Sequence, residues 1–202
     1  MPWGGIRQPR TANGEAQGMK VRIVAGEYGG RVLDAPPGVR THPMGERIRG
    51  ALFNSLGRKV RNARVLDTYA GTGAIGLEAL SRGAKAAWFV ERDTLAFKIM
   101  SANIALVGAE EQSNTSRASL GAWVKTYKGE PFSLIFADPP YNRPQDELVE
   151  KLLKFLTPNG LLILSHPTRH EPILLKSELV EQRTYGDATL SFFKREDTTK
   201  EK

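Results

Sequence analysis

From residue 64 onward, short apolar runs alternate with amphipathic stretches, and no other feature restricts the fold of this chain as much. The runs at 63–66, 86–90, 132–137 and 161–164 have the length of strands and stop at polar, acidic or turn-forming residues. Between them, 74–82, 94–107 and 145–156 repeat apolar residues at helical spacing. A weaker strand reads at 113–118, and 179–184 and 189–194 flank Gly186 as a closing antiparallel pair. Parallel strands need long crossovers, which helices fill. The pattern therefore predicts an α/β domain, with a mostly parallel sheet carrying helices on both faces.

The first sixty residues read differently. Val21, Ile23 and Ala25 alternate with polar or small neighbours, Glu27-Tyr28-Gly29-Gly30 supplies a turn, and Arg31-Val32-Leu33 returns, which predicts a β-hairpin. Residues 46–57 place Ile48, Leu52 and Leu56 on one helical face, with Gly57 as a stop. Residues 1–18 are rich in Gly, Pro and polar side chains and are expected to form a disordered arm. The expected organisation is that arm, a hairpin and helix over 19–60, the main domain over 61–196, and a tail over 197–202.

Composition narrows the chemistry. The chain has 202 residues, 40% of them apolar, enough for a full core. Cysteine is absent, which excludes disulfides, a thiol nucleophile and Cys-based zinc sites. His42, His166 and His170 are too scattered to suggest a metal site, so no metal is expected. No apolar run approaches the roughly 20 residues of a membrane span, and the N-terminus lacks a signal-peptide core, so a cytoplasmic protein, monomeric by default, is expected. The net charge of +7 is uneven: residues 1–60 hold ten Lys/Arg against four Asp/Glu, and 61–202 hold nineteen against eighteen. Such a bias suits a polyanion, chiefly nucleic acid, although a solvated basic tail would read the same way.

Two motifs carry chemistry. The first is Asp67-Thr68-Tyr69-Ala70-Gly71-Thr72-Gly73-Ala74-Ile75-Gly76, which follows the first strand of the main domain and contains GxGxxG. Glu91 ends the next strand, 24 residues after Asp67, where a dinucleotide-binding fold places an acid on ribose hydroxyls. An NAD site and a plain tight turn both fit this pattern. Two features favour S-adenosylmethionine. A carboxylate at Asp67 would repel a pyrophosphate but attract the amino group of a methionine moiety. No second domain that would hold a hydride donor or acceptor is expected from these residues. The second motif is Asp138-Pro139-Pro140-Tyr141, at the end of an apolar strand. Prolines lack the N–H a sheet needs, so they stop the strand, and Asp138 could simply cap a helix. Asp67, Gly71, Glu91 and Asp138 nevertheless all fall at strand carboxyl ends, where open α/β sheets bind ligands.

Together these residues resemble a class I S-adenosylmethionine-dependent amino-methyltransferase. DTYAGTGAIGLEALSRGA (67–84), RIVAGEYGGRVLDAP (22–36) and ERIRGALFNSL (46–56) narrow the resemblance to the RsmD family of 16S rRNA guanine-N2 methyltransferases, over roughly residues 19–195. The resemblance implies a Rossmann-like seven-stranded sheet and S-adenosyl-L-methionine as cofactor. It implies 16S rRNA or a small ribosomal subunit particle as partner. Asp138 and a carbonyl of Pro139-Pro140 would accept the two N–H groups of the target amine, while Tyr141 would stack on the base. Asp67, Tyr69, Ala70, Gly71, Thr72 and Gly73 would cradle the methionine end of the cofactor. Glu91 would hold its ribose, and Arg92, Ala118 and Ser119 would border its adenine. Lys20, Arg22, Arg31, Arg47, Arg49 and Arg143 are candidates for RNA phosphate contacts, with a solvated surface as the alternative for the helix arginines. The chain departs from the family pattern at His42-Pro43-Met44 and at Gly50, where the family has Arg-Pro-Thr and an acid. Rival readings are an adenine-N6 or protein-glutamine methyltransferase, an NAD-dependent oxidoreductase, and a non-catalytic RNA-binding module.

Overall fold

The computed structural model describes residues 19–36 and 44–196. The expected arm (1–18), the tail (197–202) and the pair His42-Pro43 lie outside the described residues. The chain starts with β1 (Lys20–Arg22) and β2 (Val32–Asp34), an antiparallel pair in which Val21 faces Leu33. The ladder is shorter than the alternation through residue 25 suggested. Val24 and Ala25 turn their N–H groups away from the hairpin and onto the Glu78 carboxylate, at 2.7 and 3.1 Å. Helix α1 (Glu46–Leu56) follows and ends at Gly57 in a short 3-10 turn, Gly57–Val60.

The main domain then alternates strand and helix as expected: β3 (Arg64–Asp67), α2 (Ala74–Ser81), β4 (Ala86–Glu91), α3 (Thr94–Val107), β5 (Ser113–Arg117), α4 (Leu120–Thr126), β6 (Phe132–Ala137), α5 (Asp146–Glu150), β7 (Leu156–Pro167), β8 (Ser177–Tyr185) and β9 (Ala188–Arg195). The strands form one seven-stranded sheet in the order β5-β4-β3-β6-β7-β9-β8. It is parallel except for β9, which runs antiparallel to both β7 and β8. This is the Rossmann-like class I methyltransferase fold that the resemblance implied.

Strand periodicity divides the core in two. Val65, Leu134 and Ile163 face the hairpin and α1, α2 and α3, while Leu66, Ile135 and Leu162 face α4 and α5. The hairpin and α1 are part of the first layer: Ile23, Leu33, Leu52 and Phe53 are buried in the same cluster as Leu77, Met100 and Phe136. Residues 19–60 thus share the core of the main domain instead of forming a separate body.

One expected helix is much shorter than its pattern. The stretch 145–156 forms only α5, then a turn and a 3-10 segment, Leu153–Phe155. Leu152, Leu153 and Leu156 are buried, but the chain reaches the sheet early. Phe132 pairs with Leu156 and Leu134 with Leu161, so 157–160 loops out between two paired stretches of β7. That bulge makes β7 far longer than the expected 161–164.

Candidate active site

The strand order reverses between β3 and β6, the place where an open parallel sheet leaves a crevice at its carboxyl edge. Asp67 ends β3 opposite Phe136 of β6, Asp138 stands two residues further, and Glu91 ends the adjoining β4. Three carboxylates therefore converge. Asp67 is buried, and its Oδ2 accepts the Gly76 N–H at 3.1 Å. Burial pushes the Asp67 carboxyl up to about 7, against that hydrogen bond, and the nearby Asp138 and Glu91 charges add to the rise. Burial also pushes Asp138 up to about 6, with the Ser165 hydroxyl drawing it back down. Glu91 accepts the Gly71 N–H at 2.9 Å through one oxygen and the Asp93 N–H at 2.7 Å through the other.

The glycine loop is wrapped around this point. Gly73 has φ 79°, and its N–H closes a turn onto the Ala70 carbonyl at 2.7 Å. Ala70 in turn donates to the Val90 carbonyl at 3.1 Å, and Thr72 Oγ1 accepts the Ala74 N–H at 3.3 Å. A Cβ at Gly76 would stand 2.2 Å from the Phe89 ring, so the glycine lets α2 lie directly on β4. Ala118 donates to the Glu91 carbonyl at 3.0 Å, and Ser119 caps α4 by accepting the Ala122 N–H at 3.3 Å. Arg92 is exposed beside them. All the expected cofactor residues thus gather at neighbouring strand ends.

The residues present fit S-adenosyl-L-methionine. Among the described residues the buried Tyr69 hydroxyl has no hydrogen-bond partner, and burial raises its pKa, so it keeps its proton and can donate or accept. Three mutually repelling carboxylates suit a ligand that carries a sulfonium and an ammonium, and they oppose a pyrophosphate.

Past β6 the chain turns sharply. Pro139 is buried, whereas Pro140 and Tyr141 are exposed. The Pro140 carbonyl accepts the Arg143 N–H at 3.0 Å, and among the described residues the Pro139 carbonyl accepts no hydrogen bond. The Tyr141 hydroxyl lies 2.8 Å from Ser165 Oγ in β7. His166 points to the opposite face, where Nε2 meets Ser191 Oγ at 2.8 Å and burial lowers its pKa. His170 Nε2 meets Asp146 Oδ1 at 3.0 Å. Neither histidine is bonded to Asp138.

The cations expected to touch RNA are scattered. Arg22, Arg47 and Arg143 are exposed, and Lys20 pairs with Asp34 across the hairpin. Arg31 donates to the Leu106 carbonyl at 3.2 Å, at the far end of α3. A helix that leaves the carboxyl edge ends at the opposite edge, so Arg31 stands away from the crevice. Arg49 is fully buried and donates to the carbonyls of Met44 and Arg22 beside Glu78, which removes it from any external phosphate. For Arg49 the expectation is corrected, because its polar partner in α2, Glu78, lies inside the core, whereas Arg31 stays exposed. Gly50 packs against Val24, 3.4 Å from where its Cβ would stand, and Met44 is half-buried against the core.

Four residues not anticipated from sequence build the site's support. Glu78 binds the chain at 24–25 and pairs with Arg49 and Arg82. Ser81 accepts the Tyr28 N–H at 2.9 Å. Asn103 joins both backbone groups of Asp34 to the Thr72 carbonyl, each at 2.9 Å. Ser165 holds Tyr141. A polar residue inside an apolar helix was the available signal for Glu78 and Asn103. For Ser165 there was none.

Among the described residues no group of three or more His, Cys, Asp or Glu could hold a metal ion, and no helix is long and apolar enough to cross a membrane.

Comparison with known proteins agrees with this geometry. A family model described as "Conserved hypothetical protein 95" matches residues 21–194. The "Ribosomal RNA small subunit methyltransferase D" of Escherichia coli K12 is 34% identical over 143 residues, 71% of this chain and 70% of that one. The protein of the same name from Haemophilus influenzae is 30% identical over 188 residues, 90% of this chain and 95% of that one. The solved structure of yhhF from Escherichia coli superposes with a TM-score of 0.78 at 29% identity, covering 88% of this chain and 99% of that one.

Proposed function

The chain belongs to the RsmD family of ribosomal RNA small subunit methyltransferases, and we propose that it methylates the exocyclic N2 amine of a guanine in 16S rRNA. S-adenosyl-L-methionine would be the cofactor and a small-subunit particle the substrate. One observation carries the reading: Asp67, Glu91 and Asp138 converge at the switch point, beside a proline-fixed carbonyl and an exposed aromatic ring.

When bound, the cofactor supplies an electrophilic methyl group on a sulfonium. Asp67 has one carboxylate oxygen on Gly76 and offers the other to an ammonium. Glu91 retains lone pairs beyond its two backbone bonds for ribose hydroxyls. An exocyclic amine is a poor nucleophile, because its lone pair is delocalised into the ring. Above about pH 6 Asp138 is ionised and accepts one N–H, while the Pro139 carbonyl accepts the other. That pairing favours a more tetrahedral nitrogen, whose lone pair would take the methyl group in line as the carbon–sulfur bond breaks and the cofactor leaves as a neutral thioether. The extra proton left on the nitrogen passes to Asp138 or water. Tyr141 stacks on the base, worth about 1–3 kcal/mol. The base is flipped or unpaired to reach it. Much of the rate comes from positioning.

The test is incubation with methyl-labelled cofactor and unmodified small-subunit particles, with Asp138→Ala as control and the labelled nucleoside identified by mass. N2-methylguanosine that vanishes in the control is expected. Label on adenine would change the substrate, and cofactor binding without label would leave an RNA-binding protein.

A further inference from the structure

We propose that Ser165 is a positioning residue of this reaction: its hydroxyl, set between the Tyr141 phenol and the Asp138 carboxylate, fixes how both meet the target amine. The inference rests on the methyltransferase reading and goes beyond it by placing β7 in the site.

Three observations support it. The first is register. β6 and β7 run parallel with Phe136 opposite Ile163 and Ala137 opposite Leu164, so the next step brings Ser165 beside Asp138. The second is contact. Ser165 is 3% exposed, and its Oγ lies 2.8 Å from the Tyr141 hydroxyl, although the Tyr141 residue is itself 40% exposed. A ring that projects into solvent is thus tethered at its tip by a buried hydroxyl. The third is direction. Burial raises the Tyr141 pKa, with the Ser165 hydrogen bond drawing it back and Asp138 and Asp187 adding to the rise, so the phenol keeps its proton and is able to donate to Ser165 Oγ. Ionised Asp138 can only accept, so the Ser165 proton turns to it, in keeping with the lowering effect of Ser165 on that carboxyl, and Ser165 Oγ is left to accept from Tyr141. The neighbouring His166 is not part of this chain, because successive strand side chains alternate and it bonds Ser191 on the other face.

The relay has two functions. It holds the Tyr141 ring in one attitude, which matters for stacking of the base. It also favours the ionised form of Asp138, the stronger acceptor for an N–H and the form with no proton of its own to present to the amine. The two functions separate in mutants. Ser165→Ala removes both, whereas Tyr141→Phe removes the tether and leaves the Ser165–Asp138 contact. Both variants are expected to raise KM for the RNA particle. Loss of one hydrogen bond corresponds to about tenfold in kcat/KM. Only Ser165→Ala is expected to move the acid limb of the kcat profile to higher pH. Ser165→Thr, which keeps the hydroxyl, is expected to restore the limb. The double variant Ser165→Ala/Tyr141→Phe is expected to bind RNA no worse than Ser165→Ala alone.

Cofactor affinity and melting temperature are measured on every variant, to separate a damaged fold from a displaced ring. An acid limb unchanged in Ser165→Ala, or losses that simply add in the double variant, would overturn the proposal. An inactive wild-type protein that still binds cofactor would instead remove the methyltransferase reading itself, a result distinct from either.

Discussion

Asp67 is asked to do two opposed things: remain buried without a cationic partner, and accept an ammonium. Its pKa of about 7 without ligand expresses that conflict. Because the value lies above the ordinary 3.8, the folded state binds a proton that the unfolded chain releases. This contribution to stability is fully present below about pH 4 and is lost as pH rises through 7. By pH 8 the ionised Asp67 costs the ligand-free fold on the order of 4 kcal/mol at most. Asp67→Asn is therefore expected to raise the melting temperature of the ligand-free protein at pH 8 while weakening S-adenosylmethionine binding at least tenfold. Binding to the native protein is expected to release a proton and to tighten as pH rises from about 5 to 7. Calorimetry in buffers of different ionisation enthalpy reads that proton directly. At Asp138 the neutral Asn retains an acceptor oxygen but loses the charge. Asp138→Asn is thus expected to lower kcat by a factor of about 100 or more, with cofactor affinity little changed.

At the scale of elements, the buried Arg49–Glu78 pair ties α1 and the hairpin to α2, the helix that follows the glycine loop. Burial lowers the Arg49 pKa and Glu78 opposes this. Removing Arg49 leaves Glu78 with Arg82 alone and strips the Met44 and Arg22 carbonyls of their donor, so Arg49→Met is expected to cost about 1–3 kcal/mol in a denaturant titration. The same change should leave the salt slope of RNA binding untouched. Arg143→Ala should do the reverse, preserving stability and reducing that slope by about 0.7–0.9 for one lost phosphate contact. Sequence alone grouped these two arginines together. It could not separate them, since an arginine in an amphipathic helix reads as surface until its carboxylate partner, 29 residues on, is placed. Where the signals were local they sufficed. Asp93 accepts the N–H groups of Leu95 and Ala96, Gly108 turns left-handed, and α3 occupies the expected 94–107. The glycine loop and DPPY were legible because backbone geometry and chemistry demand those residue types at those positions. α5 was misread because the leucines after it serve a 3-10 turn and a bulged strand, and apolar spacing does not tell one from the other.

For the whole molecule, the consequence of one shared core is that recognition and catalysis cannot be separated by cutting the chain. The expected organisation set a hairpin and helix over 19–60 apart from a main domain over 61–196. Yet Phe53 packs on Phe136 at 5.5 Å between ring centroids, two residues before Asp138. Ile23, Leu33 and Leu52 cover the face of α2 and α3 that would otherwise meet water. Each such buried side chain contributes about 1.5–3 kcal/mol, so losing four removes about 6–12 kcal/mol, comparable to the whole stability of a domain. Asn103 and Glu78 would also lose the backbone partners they hold in the hairpin. A chain beginning at residue 61 is therefore expected to be unfolded or molten by near-UV circular dichroism and to bind no S-adenosylmethionine, even though every residue assigned to the cofactor is retained. A folded fragment that binds cofactor with native affinity would mean that the hairpin and helix are an accessory. Failure of the fragment to fold would mean that the segment proposed to meet RNA is also one wall of the catalytic domain. A contact made there could then reach the glycine loop through the Asn103 bond to Thr72.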